Sequence, residues 1–248
     1  WEEADGEGAA PSVAYFPANP DPTNPDSAVQ LSVQLGVLTP EQEVLLVLFA
    51  QMASKPCFHQ LRTVEQLGYS VSSGVMHMEE VAFFRVTVQS PQKGPAELTR
   101  RITAWLTSFR SHLADMTPQR FDNNIASLSA KYREPPKTLW DAASRMWNEV
   151  SDRSYCFDRR DRMAAAVKAA TKAHVLQLYD RHISPRGRHT ALLTVNIQGS
   201  GAEGGEQAGP GDGRRESRGL HNVADTTMFQ SSRPMFPSRV NLAPKARL

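Results

Sequence analysis

The segment Phe58-His-Gln-Leu-Arg-Thr-Val-Glu-Gln-Leu-Gly-Tyr69 holds the residues of this 248-residue chain best suited to chemistry on a carbonyl group. Arg62 falls near the end of an expected helical piece, Gly68 makes the turn, and Tyr69 opens a strand. That order aims a guanidinium and a phenol into one cleft. Both side chains are hydrogen-bond donors at neutral pH. Two convergent donors suit a peptide carbonyl, or the oxyanion that forms when it is attacked. The competing reading is structural: Arg62 pairs with Glu65 three residues on, and Tyr69 packs on the sheet. On pattern alone the structural reading is favoured.

Other chemistries find less support. The seven histidines form neither H-E-x-x-H nor H-x-x-E-H. His77-Met-Glu-Glu80 places a base near two acids at a hairpin tip without a third ligand, which reads as a solvated turn. His182 and His189 stand among Arg181, Arg186 and Arg188, whose charge repels a cation, so no metal site is expected in this chain. No G-x-S-x-G is present. Cys57 follows a proline in an apolar helix and reads as a small buried hydrophobe. Cys156 lies near Arg153, Arg159 and Arg160, but has no histidine partner. Two cysteines exclude a disulfide scaffold and fit a reducing, cytoplasmic compartment. The 28 basic against 26 acidic residues argue against a nucleic-acid partner. No run approaches the roughly 18 apolar residues of a membrane span. The chain begins at Trp1 without a secretory signal, as a processed chain or a fragment would.

The elements that must position these groups follow from periodicity. Residues 1–27 read as a leading linker, acidic and then rich in Pro and Asn. Val29, Leu31, Val33, Leu35 and Val37 alternate with small or polar residues, a half-buried strand. Thr39-Pro-Glu-Gln42 is a capping box with proline at the first helical position. The helix that follows, to Ala53, is apolar on nearly every side and so buried. Pro56 is expected to kink or restart it, with a second piece from Cys57 to about Val64. Strands over 69–75 and 81–89 form an antiparallel hairpin. Helices follow on Leu98–Leu113, after Thr117-Pro118, after Thr138 (Leu139, Ala143, Met146, Trp147, Val150) and after Thr171, then a strand over 190–197. This order gives an α+β fold, helices packed on one face of a mostly antiparallel sheet in two layers. The domain is expected at 28–198. A flexible linker follows at 199–225, where eight of the 15 glycines fall between Gly199 and Gly219. A C-terminal arm covers 226–248.

At Ser54-Lys-Pro-Cys-Phe-His-Gln-Leu-Arg-Thr-Val-Glu-Gln-Leu-Gly-Tyr69 the chain resembles the insulysin-like branch of the pitrilysin-type inverzincin zinc metallopeptidases. The likeness continues through Ala114-Asp-Met-Thr117, Phe121, Pro135-Pro-Lys-Thr-Leu139, Trp147-Asn-Glu-Val150 and Tyr155-Cys-Phe-Asp158. It covers about Tyr15 to Ile197, and Phe229 and Pro234-Met-Phe-Pro237 still resemble the family's C-terminus. The resemblance implies four related α+β domains, two in each half, closing like a clamshell around a chamber. This chain corresponds to the fourth. It implies zinc on an H-x-x-E-H motif of the first domain, which this chain lacks, so the chain alone is expected to be inactive. It implies that Arg62 and Tyr69 face that zinc and hold peptide substrate at the scissile bond, and that Phe58 lines a side pocket. Peptides and the N-terminal catalytic half, or a partner subunit, are the implied partners. The alternatives are a non-catalytic relative that binds peptides or a partner subunit, and an inactive truncated product. Ala246-Arg247-Leu248 resembles the S-K-L peroxisomal address.

Overall fold

The computed structural model describes residues 12–78, 80–187, 189–201 and 220–231. Six strands, β1 (Ser12–Tyr15), β2 (Ser27–Val37), β3 (Ser70–Met78), β4 (Val81–Ser90), β5 (Ala191–Ile197) and β6 (Leu220–Val223), form one sheet in the order β3-β4-β2-β5-β1-β6. The first three pairings are antiparallel, and β1 runs parallel to both β5 and β6. The alternation read in β2 is realised: Val29, Leu31 and Val33 are fully buried, opposite Val88, Val86 and Phe84 of β4. Gly36, at a φ of 83°, follows a register shift in β2 and takes a backbone conformation that glycine adopts without strain.

Helices α1 (Pro40–Phe58), α2 (Pro95–Ala114), α3 (Pro118–Arg133), α4 (Leu139–Ser151), α5 (Arg159–Ala169), α6 (Lys172–Leu178) and α7 (Thr226–Ser231) complete the α+β fold. Two wider π-helical pieces, His59–Val64 and Tyr179–Ile183, extend α1 and α6. α1 begins as its sequence demands. The Gln42 N–H donates to the Thr39 hydroxyl at 3.3 Å, and the Thr39 N–H donates to the Gln42 side-chain oxygen at 3.0 Å. Its buried residues join α2, α6 and the sheet in one core, where the Phe49 ring meets Phe84 and Phe109 edge-on at 4.9 and 5.8 Å. The Tyr179 hydroxyl, buried, donates to the Leu106 carbonyl at 2.5 Å.

Several expectations change. Pro56 does not break α1; the helix runs on to Phe58, and the His59 N–H closes bonds to both the Lys55 and Pro56 carbonyls. Cys57 and Leu61 beyond the proline are fully buried, so packing offsets the lost backbone bond. Residues 12–15, expected in the leading linker, form an inner strand with Val13 and Ala14 buried. Four residues are too short a run to show a period. α5 was not expected at all, because its sequence is charge-dense and buries only Met163, Ala164 and Val167. β6 and α7 fall in ranges expected as flexible linker and arm; the remainder of both, 202–219 and 232–248, lies outside the described residues. The apolar stripe of α4 buries none of its residues, and Trp140 is 78 % exposed.

Buried charge ties these helices together. Arg159 of α5 donates to Glu43 of α1 at 3.0 Å and to Glu149 of α4 at 2.7 Å. His77 at the β3–β4 tip reaches the other Glu43 oxygen at 3.5 Å.

Candidate active-site surface

The α1–β3 junction builds this surface. After the proline the helix widens, and π-helical pieces inside helices recur at functional sites. The turn closes through Glu65 N–H to the Gln60 carbonyl and Leu67 N–H to the Leu61 carbonyl, at 2.9 and 3.0 Å. Gln66 takes a left-handed φ of 51° to make the reversal. Gly68 then passes so close to β4 that a Cβ there would stand 1.9 Å from the Gln89 carbonyl oxygen. Only glycine fits, and β3 starts at once.

Arg62 lies in the widened turn and Tyr69 just before β3. The Arg62 guanidinium sits over the Tyr69 ring, 4.9 Å from its centroid, a cation–π stack. Tyr69 is 85 % exposed, so it does not pack on the sheet. Nor does Arg62 pair with Glu65. The Glu65 carboxylate is taken by Arg101 of α2 at 2.5 Å and by the Gln60 amide at 2.8 Å. Phe58, four residues before Arg62, is 47 % exposed. The structure thus brings Arg62 and Tyr69 into contact, with Arg62 half-buried and the Tyr69 ring exposed. Sequence reasoning missed the Arg101–Glu65 clamp, because 36 residues separate its partners and no local spacing marks it.

Chemically the surface offers donors and one positive charge, and no bond-breaking group. Cys57, buried in the last turn of α1, has its thiol pushed up to about 11 by burial, and so stays protonated. Burial also raises Cys156, together with its bond to Asp158, against the pull of the nearby arginines. Among the described residues no three His, Cys, Asp or Glu side chains are placed to hold a metal ion. The donor set needed for zinc is not assembled here.

Residues 48–147, which include this surface, match the family model described as PQQ synthase PqqF-like, C-terminal lobe domain 4. The chain is 32 % identical over 169 residues to insulin-degrading enzyme of Homo sapiens, covering 68 % of this chain and 16 % of that protein. It is 29 % identical over 214 residues to the Drosophila melanogaster enzyme of the same name, covering 85 % and 21 %. The chain is homologous to the C-terminal region of insulin-degrading enzyme and pitrilysin-type peptidases. The crystal structure of pitrilysin shares its fold, with a TM-score of 0.74 at 22 % identity over 91 % of this chain and 23 % of that one. A peroxisomal insulin-degrading enzyme-like protein of Arabidopsis thaliana is 27 % identical over 186 residues, 75 % of this chain and 19 % of that protein. The chain spans about a fifth of the length of these curated relatives.

Proposed function

We propose that the chain is the C-terminal domain of a zinc metalloendopeptidase that degrades peptides. In this reading the zinc and its general base belong to an N-terminal half, on the same polypeptide or on a partner subunit. Arg62 and Tyr69 hold the substrate backbone at the scissile bond and donate to the oxyanion as it develops, and Phe58 lines a side pocket. The observation that carries the reading is the Arg62–Tyr69 stack. The Arg101–Glu65 pair removes the carboxylate that would otherwise neutralise Arg62, and the two donors stand together, half-buried Arg62 over exposed Tyr69. Zinc would polarise the carbonyl and activate water; this chain's own part is to bind and orient. A protein confined to the cytoplasm or sent to peroxisomes fits the same reading, the latter through Ala246-Arg247-Leu248, which lies outside the described residues.

The test is Tyr69→Phe in the polypeptide that carries both halves. Phenylalanine keeps the ring under Arg62 and removes only the hydroxyl. Loss of one oxyanion donor costs about 3 to 4 kcal/mol, so kcat on a quenched fluorescent peptide should fall by about 100- to 1000-fold, with KM little changed. Unchanged turnover would sink the role. The 248-residue chain alone should cleave nothing, with or without chelator.

A further inference from the structure

On the helical segment that carries Arg62, a second feature has no part in that reading. α1, the 59–64 π-helix, α2 and α3 border an open cleft of about 410 Å³, within the size range of small-ligand sites. Its titratable lining is entirely basic: Lys55, His59, His112 and Arg120, with no carboxylate. Among the described residues neither Lys55 nor Arg120 has an acidic partner within ion-pair distance. Trp105 and Phe109 form the floor, their rings 5.4 Å apart, and the His112 imidazole lies flat against Phe109 at 5.2 Å. The His112 Nε2 is shielded from solvent with no hydrogen-bond partner among the described residues. Burial and the Arg120 charge hold this imidazole below its ordinary range, against a smaller opposing pull from Asp115. At neutral pH Lys55 and Arg120 therefore supply the fixed charge of the cleft.

We propose that this cleft binds an acidic segment of a peptide, with a carboxylate set between Lys55 and Arg120 and an adjoining apolar side chain against the aromatic floor. The proposal rests on the reading of the chain as peptide-binding. The cations stand on separate elements around an apolar floor, a layout for a charge carried on an apolar body. A compact phosphate is held by donors focused on one point, often backbone N–H groups. The Arg120 fork suits a carboxylate bidentately, and Lys55 adds an unshared charge. His59 belongs to the same π-helix as Arg62, so a segment seated here lies next to the surface proposed to hold the scissile bond.

The test is fluorescence anisotropy on the full chain with a labelled Phe- and Glu-containing hexapeptide and its Gln counterpart. The acidic peptide should bind about tenfold tighter or better, and more so at low salt. Lys55→Glu and Arg120→Glu change exposed side chains, and each should abolish the preference while far-UV circular dichroism stays unchanged. Arg62→Ala should weaken both peptides alike and keep their ratio. The His112 ring-proton resonance should shift with the acidic peptide and not with the Gln one. Equal binding of the two peptides overturns the cleft and leaves the peptide-holding role of Arg62 standing. A preference that survives both charge reversals also overturns it. Inorganic phosphate displacing the acidic peptide at equal charge would assign a small-oxyanion site instead. Failure of either peptide to bind at millimolar concentration would overturn the cleft and the peptide-holding reading together.

Discussion

With Glu65 held by Arg101 and Gln60, the Arg62 guanidinium lies over the exposed Tyr69 ring. The stack depends on where the turn places Tyr69, and one residue sets that. Gly68→Ala would drive a methyl to 1.9 Å from the Gln89 carbonyl oxygen, a backbone atom that cannot swing away. β3 must then peel from β4 or the turn must open. The expected loss of stability is about 3 kcal/mol, read from urea unfolding. A loss below about 1 kcal/mol would mean that the junction has slack the structure does not show. The residues of this surface were legible as a run of types. Their roles were not, because local spacing favoured an Arg62–Glu65 pair that a residue from another helix pre-empts.

Among elements, α1 was legible at its start and misread at its end. Thr39, Pro40 and Gln42 act through bonds spanning three residues, which spacing reveals. The passage through Pro56 is decided by the burial of Cys57 and Leu61 against the core, which no local rule reports. α5 was unreadable for the opposite reason: its charges look like a solvated loop until Arg159 meets Glu43, 116 residues away. That contact sets a prediction. Arg159→Ala leaves Glu43 and Glu149 facing one another with side chains 12 % and 14 % exposed. Breaking a buried pair of this kind costs about 3 to 5 kcal/mol. Arg159→Lys should recover little of it, since one ammonium cannot fork to both carboxylates. Chemical denaturation of both variants checks this; full rescue by lysine would mean that charge alone, without geometry, holds α5 to α1 and α4.

For the whole molecule, acid should be the first condition to loosen the fold. His182 has its imidazole depressed to about 4 by burial, with His189 and Arg181 adding to it. An unfolded histidine takes its proton near 6.5, so acid protonates the unfolded chain first. The neutral ring therefore contributes stability above about pH 6.5, and that contribution is lost as pH falls toward about 4. With solvent screening of the half-buried ring allowed for, it amounts to about 2 kcal/mol or less. His182→Gln should flatten the fall in urea-unfolding free energy between pH 7 and pH 4.5; an unaltered slope would place the acid sensitivity elsewhere. The sequence by itself determined the α+β class, the hairpin after Gly68, the capped helix starts and the homologous block around Arg62 and Tyr69. All of these rest on contacts within a few residues or on periods that one element displays alone. Only the tertiary structure decided that residues 12–15 join the sheet, that α4 keeps its apolar stripe outside, and that Arg62 stacks on Tyr69. Residues 12–15 turn on β5 and β6, and Arg62 is released by the Arg101–Glu65 pair, so partners distant in the chain change the free energy of a local choice that is otherwise nearly balanced; no buried contact of α4 draws its stripe inward.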